Sequence, residues 1–361
     1  MLIIVAYAAL WNSALRFGLP LPVTRSNPFL EDWKNYAEMI FLYFLAYNAL
    51  KDEDSQRIAL TLMASVFLLI VLREFRNFAA GSSFSYDNRA AGPFWIIGLG
   101  ANHFGAFIAD YGAVLLGLAL IDRHRIRRWI YIAALLICVY PLFYSYSAGA
   151  YIAAIAAIAV LGLVHKRIIL VGIVVLLVAW KAILPPTVVE RISMTRDESG
   201  NVEESAAHRL KLWDHAEALF KANPVFGIGF SGFGLTVEHG ELTDTHNFYV
   251  KMAAEQGLVG LAIFALVLLK AFASGWHLYR RARSDLHRGL GLGFMACVAS
   301  MMVSNVFGDR WSYFMLGAYF WIFWGIVDRG AWVAAQAAVP PAAPPVQPEA
   351  APNRWIRRPR R

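Results

Sequence analysis

Charge and cysteine are both scarce in this sequence. Only 16% of its 361 residues are Asp, Glu, Lys or Arg, whereas a soluble domain carries about a quarter. The two cysteines, Cys138 and Cys297, both fall inside apolar runs, which excludes a disulfide framework and a cysteine-type metal cluster. No internal repeat is visible, which argues against transporters built from duplicated halves. The first apolar run lacks a basic start and a small-residue cleavage site, so residues 2–20 are expected to be a retained helix and not a signal peptide.

What fills the sequence instead is apolar. Hydrophobic residues make up 58% of the chain, in blocks of about 15–25 residues, the length that crosses a hydrocarbon core about 30 Å thick. The blocks fall near 2–20, 36–50, 58–72, 93–121, 129–143, 150–164, 168–184, 256–274, 289–307 and 312–328. Continuous runs of this kind fit helices and not a barrel, whose strands alternate. The expectation is an all-α, polytopic transmembrane helical bundle of about ten spans.

Short basic loops orient it. "DRHRIRR" (122–128), "HKR" (165–167) and "YRRARSDLHR" (279–288) are assigned to the cytoplasm, together with the C-terminal "RWIRRPRR". Both termini are then cytoplasmic, and 73–92, 144–149, 185–255 and 308–311 face the other side. Segment 73–92 breaks the rule by carrying Arg73, Arg76 and Arg89, so a local use for positive charge is expected there. Topology accounts for most of the +8 net charge, and a nucleic-acid partner is not needed to explain it. Residues 1–333 are read as the membrane domain and 334–361 as a disordered, Ala/Pro-rich basic tail.

The one large polar segment, about 185–255, holds four of the nine histidines: His208, His215, His239 and His246. "SAAHRLKLWDHAEALFKANP" (205–224) predicts an amphipathic helix, with Ser205 as N-cap and Leu210, Trp213, Ala216 and Phe220 on one face. Gly227, Gly229 and Gly232 formally match a dinucleotide fingerprint, but the βαβ context it requires is absent. They read as a tight turn or as a nest of amides for an anion. In "THNFYVKMAAEQGLVGL" (245–261), Asn247, Lys251 and Glu255 share a helical stripe, and Lys251 can pair with Glu255. Spacing leaves that stripe open between an interfacial helix start and a site. Asn102, His103 and Asp110 are equally open between a structural polar network and substrate contacts. His208, His215 and His239 read as ordinary loop residues, and no histidine spacing suits a metal.

"NPVFGIGFSGFG" followed by "THNFYVKMAAEQGLVGL" resembles the signature region of the O-antigen ligase and O-antigen polymerase superfamily. The matching positions are Arg209, Pro224, Gly227, Gly229, His246, Asn247, Tyr249, Glu255, Gly257, Gly260 and Leu261. "RAAGPFWIIGLGANHFGAFIA" (89–109) and "YSYSAGAYIAA" (144–154) are similar to two upstream family segments, although Ala148 stands where the family usually has arginine. The resemblance implies an integral-membrane, inverting, metal-independent glycosyltransferase of the bacterial inner membrane, using no cofactor. Its partners would be membrane lipid, a glycan donor on undecaprenyl diphosphate and a hydroxyl acceptor on lipid A core or another polysaccharide. The acceptor side would be the periplasmic one, which makes 185–255 a periplasmic loop. The implied catalytic residues are His246 and Arg209. Arg89, Asn247, Arg310, Gly227 and Gly229 are the candidates for binding diphosphate or glycan, with Arg89 or Arg310 replacing the missing arginine. Ligase and polymerase are not separated by these motifs, and a lipid-linked sugar transporter is the remaining alternative.

Overall fold

The computed structural model describes residues 1–79, 81, 83–85, 87–194, 204–237 and 244–336, the side chains of 204–207 excepted. The described residues form helices and turns without a strand. In chain order the helices are α1 (Leu2–Phe17), α2 (Leu30–Ala49), α3 (Glu53–Asn77), α4 (Ala101–Ile121), α5 (Arg125–Tyr144), α6 (Ala148–Val164), α7 (Ile168–Ile183), α8 (Pro186–Ser193), α9 (Glu204–Ala222), α10 (Phe248–Arg281), α11 (Asp285–Ser304) and α12 (Phe314–Gln336). The expected tail 334–361 lies outside the described residues from 337 onward, as does His239.

Five helices, α3, α4, α5, α10 and the α11 segment to Phe307, are long and apolar enough to cross a membrane. A sixth candidate is the pair α7 and α8, bent by 104°. Two apolar helices, α1 and α6, are shorter. The expected block 93–121 is not one helix: Gly92–Ile97 is a 3-10 turn, and α4 begins only at Ala101. The helical stripe expected from Asn247 onward is the start of α10, which begins at Phe248, ahead of the apolar block from 256; the Asn247 side chain accepts from the Tyr249 and Val250 amides and caps it.

The core is α4, buried along nearly its whole length, packed on α5, α6 and α11. In turn α11 packs on α6 and α10, while α12 packs on α2 and α10. Small residues let these helices approach, as is usual where apolar side chains gain little by leaving lipid. A Cβ on Gly117 of α4 would stand 2.3 Å from the Gly293 Cα of α11. The outer helices present Leu62, Leu69, Leu136, Val174 and Val178, all more than half exposed, as a lipid-facing surface requires.

One end of the bundle is irregular. There the 89–100 segment, the α5–α6 turn, α9, the glycine turn 224–232, the start of α10 and residues 305–313 meet. The amphipathic face of α9 differs from the expected one: Leu212 and Ala216 are buried against Phe233 and Ala254, while Leu210 is half exposed. Tertiary contact with the turn and with α10 selects that face. Because α9 begins at Glu204, Ser205 lies inside its first turn and not at the cap.

Candidate functional site

The glycine turn and α10 are locked by an exchange of backbone hydrogen bonds. Gly257 has φ 62° and ψ −158°, a conformation close to glycine-only, so the α10 ladder breaks there. The Ala254 and Glu255 carbonyls lose their Leu258 and Val259 partners and accept instead from the Ile228 and Gly229 amides at 2.9 and 2.8 Å. The Leu258 and Val259 amides donate to the Pro224 and Val225 carbonyls at 2.8 and 3.2 Å. Four groups freed by a helix break are thereby satisfied, as buried backbone demands. The Phe230 amide adds a bond to the Ala9 carbonyl of α1 at 3.0 Å.

This clasp accounts for Gly227 and Gly229. A Cβ on Gly227 would stand 2.3 Å from the Glu255 carbonyl carbon, and one on Gly229 2.3 Å from the Ser13 amide nitrogen. Their amides already donate within the protein, to Asn223 and Glu255. They build the floor on which the site rests, and neither amide is left to cradle an anion.

Directly before α10, the loop turns on Thr245-His246-Asn247. The Trp213 indole donates to the Thr245 carbonyl at 2.8 Å, tying α9 to the turn. Thr245 donates its hydroxyl to the Asn247 carbonyl at 2.8 Å. His246 sits at φ 52°, where a non-glycine residue is uncommon. Its amide donates to Asp244 Oδ1 at 3.2 Å, and its Nδ1 faces Asp244 Oδ2 at 3.7 Å. The ring is one-third exposed, so it is presented and not packed away.

Burial lowers the His246 pKa below its usual value; Asp244 opposes this, while the positive charges of Arg209, Arg310 and His208 add to it. The imidazole is therefore neutral at neutral pH and able to take a proton. Those same charges mark a cationic face around it. Among the described residues, the buried Nε atoms of Arg209 and Arg310 and the Nδ1 atoms of His208 and His103 have no hydrogen-bond partner. Burial pulls the Arg310 guanidinium down to about 10, against the pull of Asp309, Asp110 and Asp244, so it stays charged near neutrality. His103 stacks edge-on against Tyr313, ring centres 5.2 Å apart, and lies within electrostatic reach of Arg310 and His246.

Arg89 is held at the α5–α6 turn. Its guanidinium donates to the Ser145 carbonyl at 2.7 and 2.9 Å and to Asn102 Oδ1 at 2.7 Å. Asn102 neighbours His103, and Ser145 opens the Ser-x-Ser stretch that precedes Ala148. Ala148 itself is exposed, at the first position of α6. An arginine thus reaches the turn where the family's own arginine is missing, from a different part of the chain. His246, Arg209 and Arg310 are brought together; Arg89 is held by Ser145 and Asn102, and Asn247 is committed to capping α10.

Lys251 does not pair with Glu255. Its ammonium contacts Asp309 Oδ2 at 3.0 Å, and Glu255 instead accepts from the Phe233 amide at 3.2 Å. Burial would raise the Asp309 carboxyl, but Lys251 and hydrogen bonds from Ser312 hold it below its usual value. Asp309 was not singled out from the sequence, nor were Asp32 and Asn35 of α2, which line a cavity with Lys251 and Glu255. The signal available was weak: a "GDRW" turn between two apolar runs, carrying two opposite charges side by side.

A family model described as O-antigen ligase matches residues 132–265, more than a third of the chain. The match runs from α5 through the glycine turn into the first half of α10, and so contains Arg209, the clasp and His246. No curated protein matches the chain. The resemblance carried by the loop motifs stands, and it supports a membrane glycosyltransferase of the O-antigen ligase or polymerase type.

Proposed function

We propose, from the premise that residues 132–265 form an O-antigen ligase domain, that the chain transfers a glycan from undecaprenyl diphosphate to a hydroxyl acceptor. The acceptor is a sugar of lipid A core or of another glycan, and the reaction takes place at the periplasmic face of the bacterial inner membrane. The proposed topology has ten crossings with both termini cytoplasmic. The observation that carries the reading is one presented histidine with Arg209 and Arg310 within electrostatic reach, the buried Nε atom of each without a hydrogen-bond partner.

Chemically, the acceptor hydroxyl gives its proton to the His246 Nε2, since Nδ1 faces Asp244. The oxygen attacks the anomeric carbon from the side opposite the diphosphate, which inverts the configuration. The bond between that carbon and the diphosphate oxygen breaks, and its electron pair leaves with undecaprenyl diphosphate. Arg209 and Arg310 neutralise the growing charge, and guanidinium forks match phosphate oxygens. No metal is called on in this route.

The test is transfer by the full chain in lipid nanodiscs, supplied with glycan-charged undecaprenyl diphosphate and acceptor. Arg209→Ala and His246→Ala are each expected to slow transfer about 10²-fold or more, with EDTA leaving the parent rate unchanged. Full activity in both variants would defeat the reading. Polymerase is the second reading, since the loop motifs do not separate the two activities. Deleting the gene separates them: single-repeat glycan on lipid A means polymerase, and long chains retained on undecaprenyl diphosphate mean ligase.

A further inference from the structure

Beside the cationic face lies a cavity of about 310 Å³, at the lower end of the range of small-molecule sites, roughly 300–1,000 Å³. The consecutive residues Asp309 and Arg310 divide the two. Asp309 lines the cavity with its Lys251 partner, whereas Arg310 lies within reach of His103 and His246. The two halves differ in charge. Three carboxylates, Asp32, Glu255 and Asp309, border the cavity against one ammonium, Lys251, and that ammonium is already paired.

The remaining walls are hydroxyl, amide and ring. Asn35 contributes an amide from α2. The Tyr36 hydroxyl accepts from the Trp311 indole at 3.2 Å, which leaves its own proton to donate elsewhere. Phe230, Phe248 and Tyr313 supply apolar faces. Carboxylates accept paired hydroxyls through charge-assisted hydrogen bonds, and rings pack against the C–H face of a pyranose. A carboxylate entering this space would find three carboxyl groups and no unpaired cation among the lining residues, an arrangement that discriminates between ligands.

We propose that this cavity is a sugar subsite, holding one uncharged or amino-bearing monosaccharide unit and rejecting uronic acids. The proposal rests on the reading of the chain as a glycan transferase, and names the sugar class that its site takes. The unit belongs either to the donor glycan or to the acceptor, both of which present the same hydroxyl chemistry.

The full chain in nanodiscs is titrated with methyl glucoside, methyl glucosaminide and methyl glucuronide, read by saturation-transfer NMR. The first two are expected to bind and the glucuronide not. Asp32→Asn with Asn35→Ala, both outside the buried core, is expected to weaken binding about tenfold, the loss of one charge-assisted hydrogen bond. In the transfer reaction the same pair raises KM for the donor if the unit is the donor's, and for the acceptor if it is the acceptor's. Glucuronide binding as tightly as glucoside, an unchanged titration of the double variant, or a lower kcat with both KM values unchanged would each overturn the subsite. Arg209→Ala separates the two proposals, since it is expected to abolish transfer while the glucoside titration stays intact. If Arg209→Ala retained transfer, the transferase reading would fail, whatever the sugar titration showed.

Discussion

The chemistry of His246 depends on its neighbours. Burial and the charges of Arg209, Arg310 and His208 lower its pKa, and Asp244 alone among the named groups raises it. A base works when deprotonated, so activity should fall as pH drops through that lowered value. The acid limb of kcat/KM is expected below pH 6.5, the ordinary histidine value. Asp244→Asn removes the opposing charge and should move the limb further toward acid. The same change costs the hydrogen bond that the His246 amide makes to Asp244 Oδ1 only in part, because the amide oxygen of Asn also accepts. A pH profile of transfer from about pH 4 to 8 for the parent and this variant checks the prediction. A limb that moves toward neutral pH instead would show that Asp244 does not act on the imidazole as a charge.

At the scale of elements, the clasp between residues 224–232 and the broken turn of α10 sets the position of everything above it. Gly257→Ala puts a side chain into backbone conformation that only glycine adopts freely, at about 1–3 kcal/mol. It also places a Cβ 2.4 Å from the Val225 carbonyl oxygen, so the glycine turn must shift. Transfer is expected to fall about 10²-fold, as misplaced catalytic groups do, with faster limited proteolysis between residues 222 and 233. Unchanged proteolysis and rate would mean that α10 tolerates the break elsewhere. This clasp also shows what was legible in the sequence. The Gly-x-Gly and Glu-x-Gly patterns marked the region, because glycines at such spacing signal special backbone. Their joint purpose was not legible, since the four exchanged bonds join residues about 30 apart. The Lys251–Glu255 pairing failed for a related reason: helical spacing allowed it, but Asp309, 58 residues on, offered a buried partner at 3.0 Å. In α9 the helix itself was readable from its composition, whereas its inward face was decided by Phe233 and Ala254.

For the whole molecule, apolar block length gave the helical class correctly, because backbone in lipid must satisfy itself internally. It did not mark where helices break, as at the 3-10 turn Gly92–Ile97, since turns inside apolar runs leave no change of polarity behind. Nor did it show that α4 and α11 are the central pair while α7 has no buried residue, because an apolar run reads the same whether it meets lipid or another helix. That distinction predicts where substitutions matter. Gly117→Leu would drive a side chain into Gly293, whose Cα stands 2.3 Å from the position of a Cβ. Over-packing of this kind costs about 1–3 kcal/mol or more. The same helix pair carries Asn102 and His103 at the start of α4 and leads from α11 into Asn305 and Arg310, so spreading the pair also loosens the cationic face. Leu136→Ala, on the exposed side of α5, removes only lipid contact. Cys138 and Cys297 are both buried, so a thiol-reactive fluorophore reports unfolding during a thermal ramp. Gly117→Leu is expected to bring both thiols into reaction several degrees below the parent, and to lower transfer even at temperatures where they remain protected. Leu136→Ala should do neither. Equal melting of the two variants would mean that the α4–α11 contact is not what holds this bundle, and the cationic face, together.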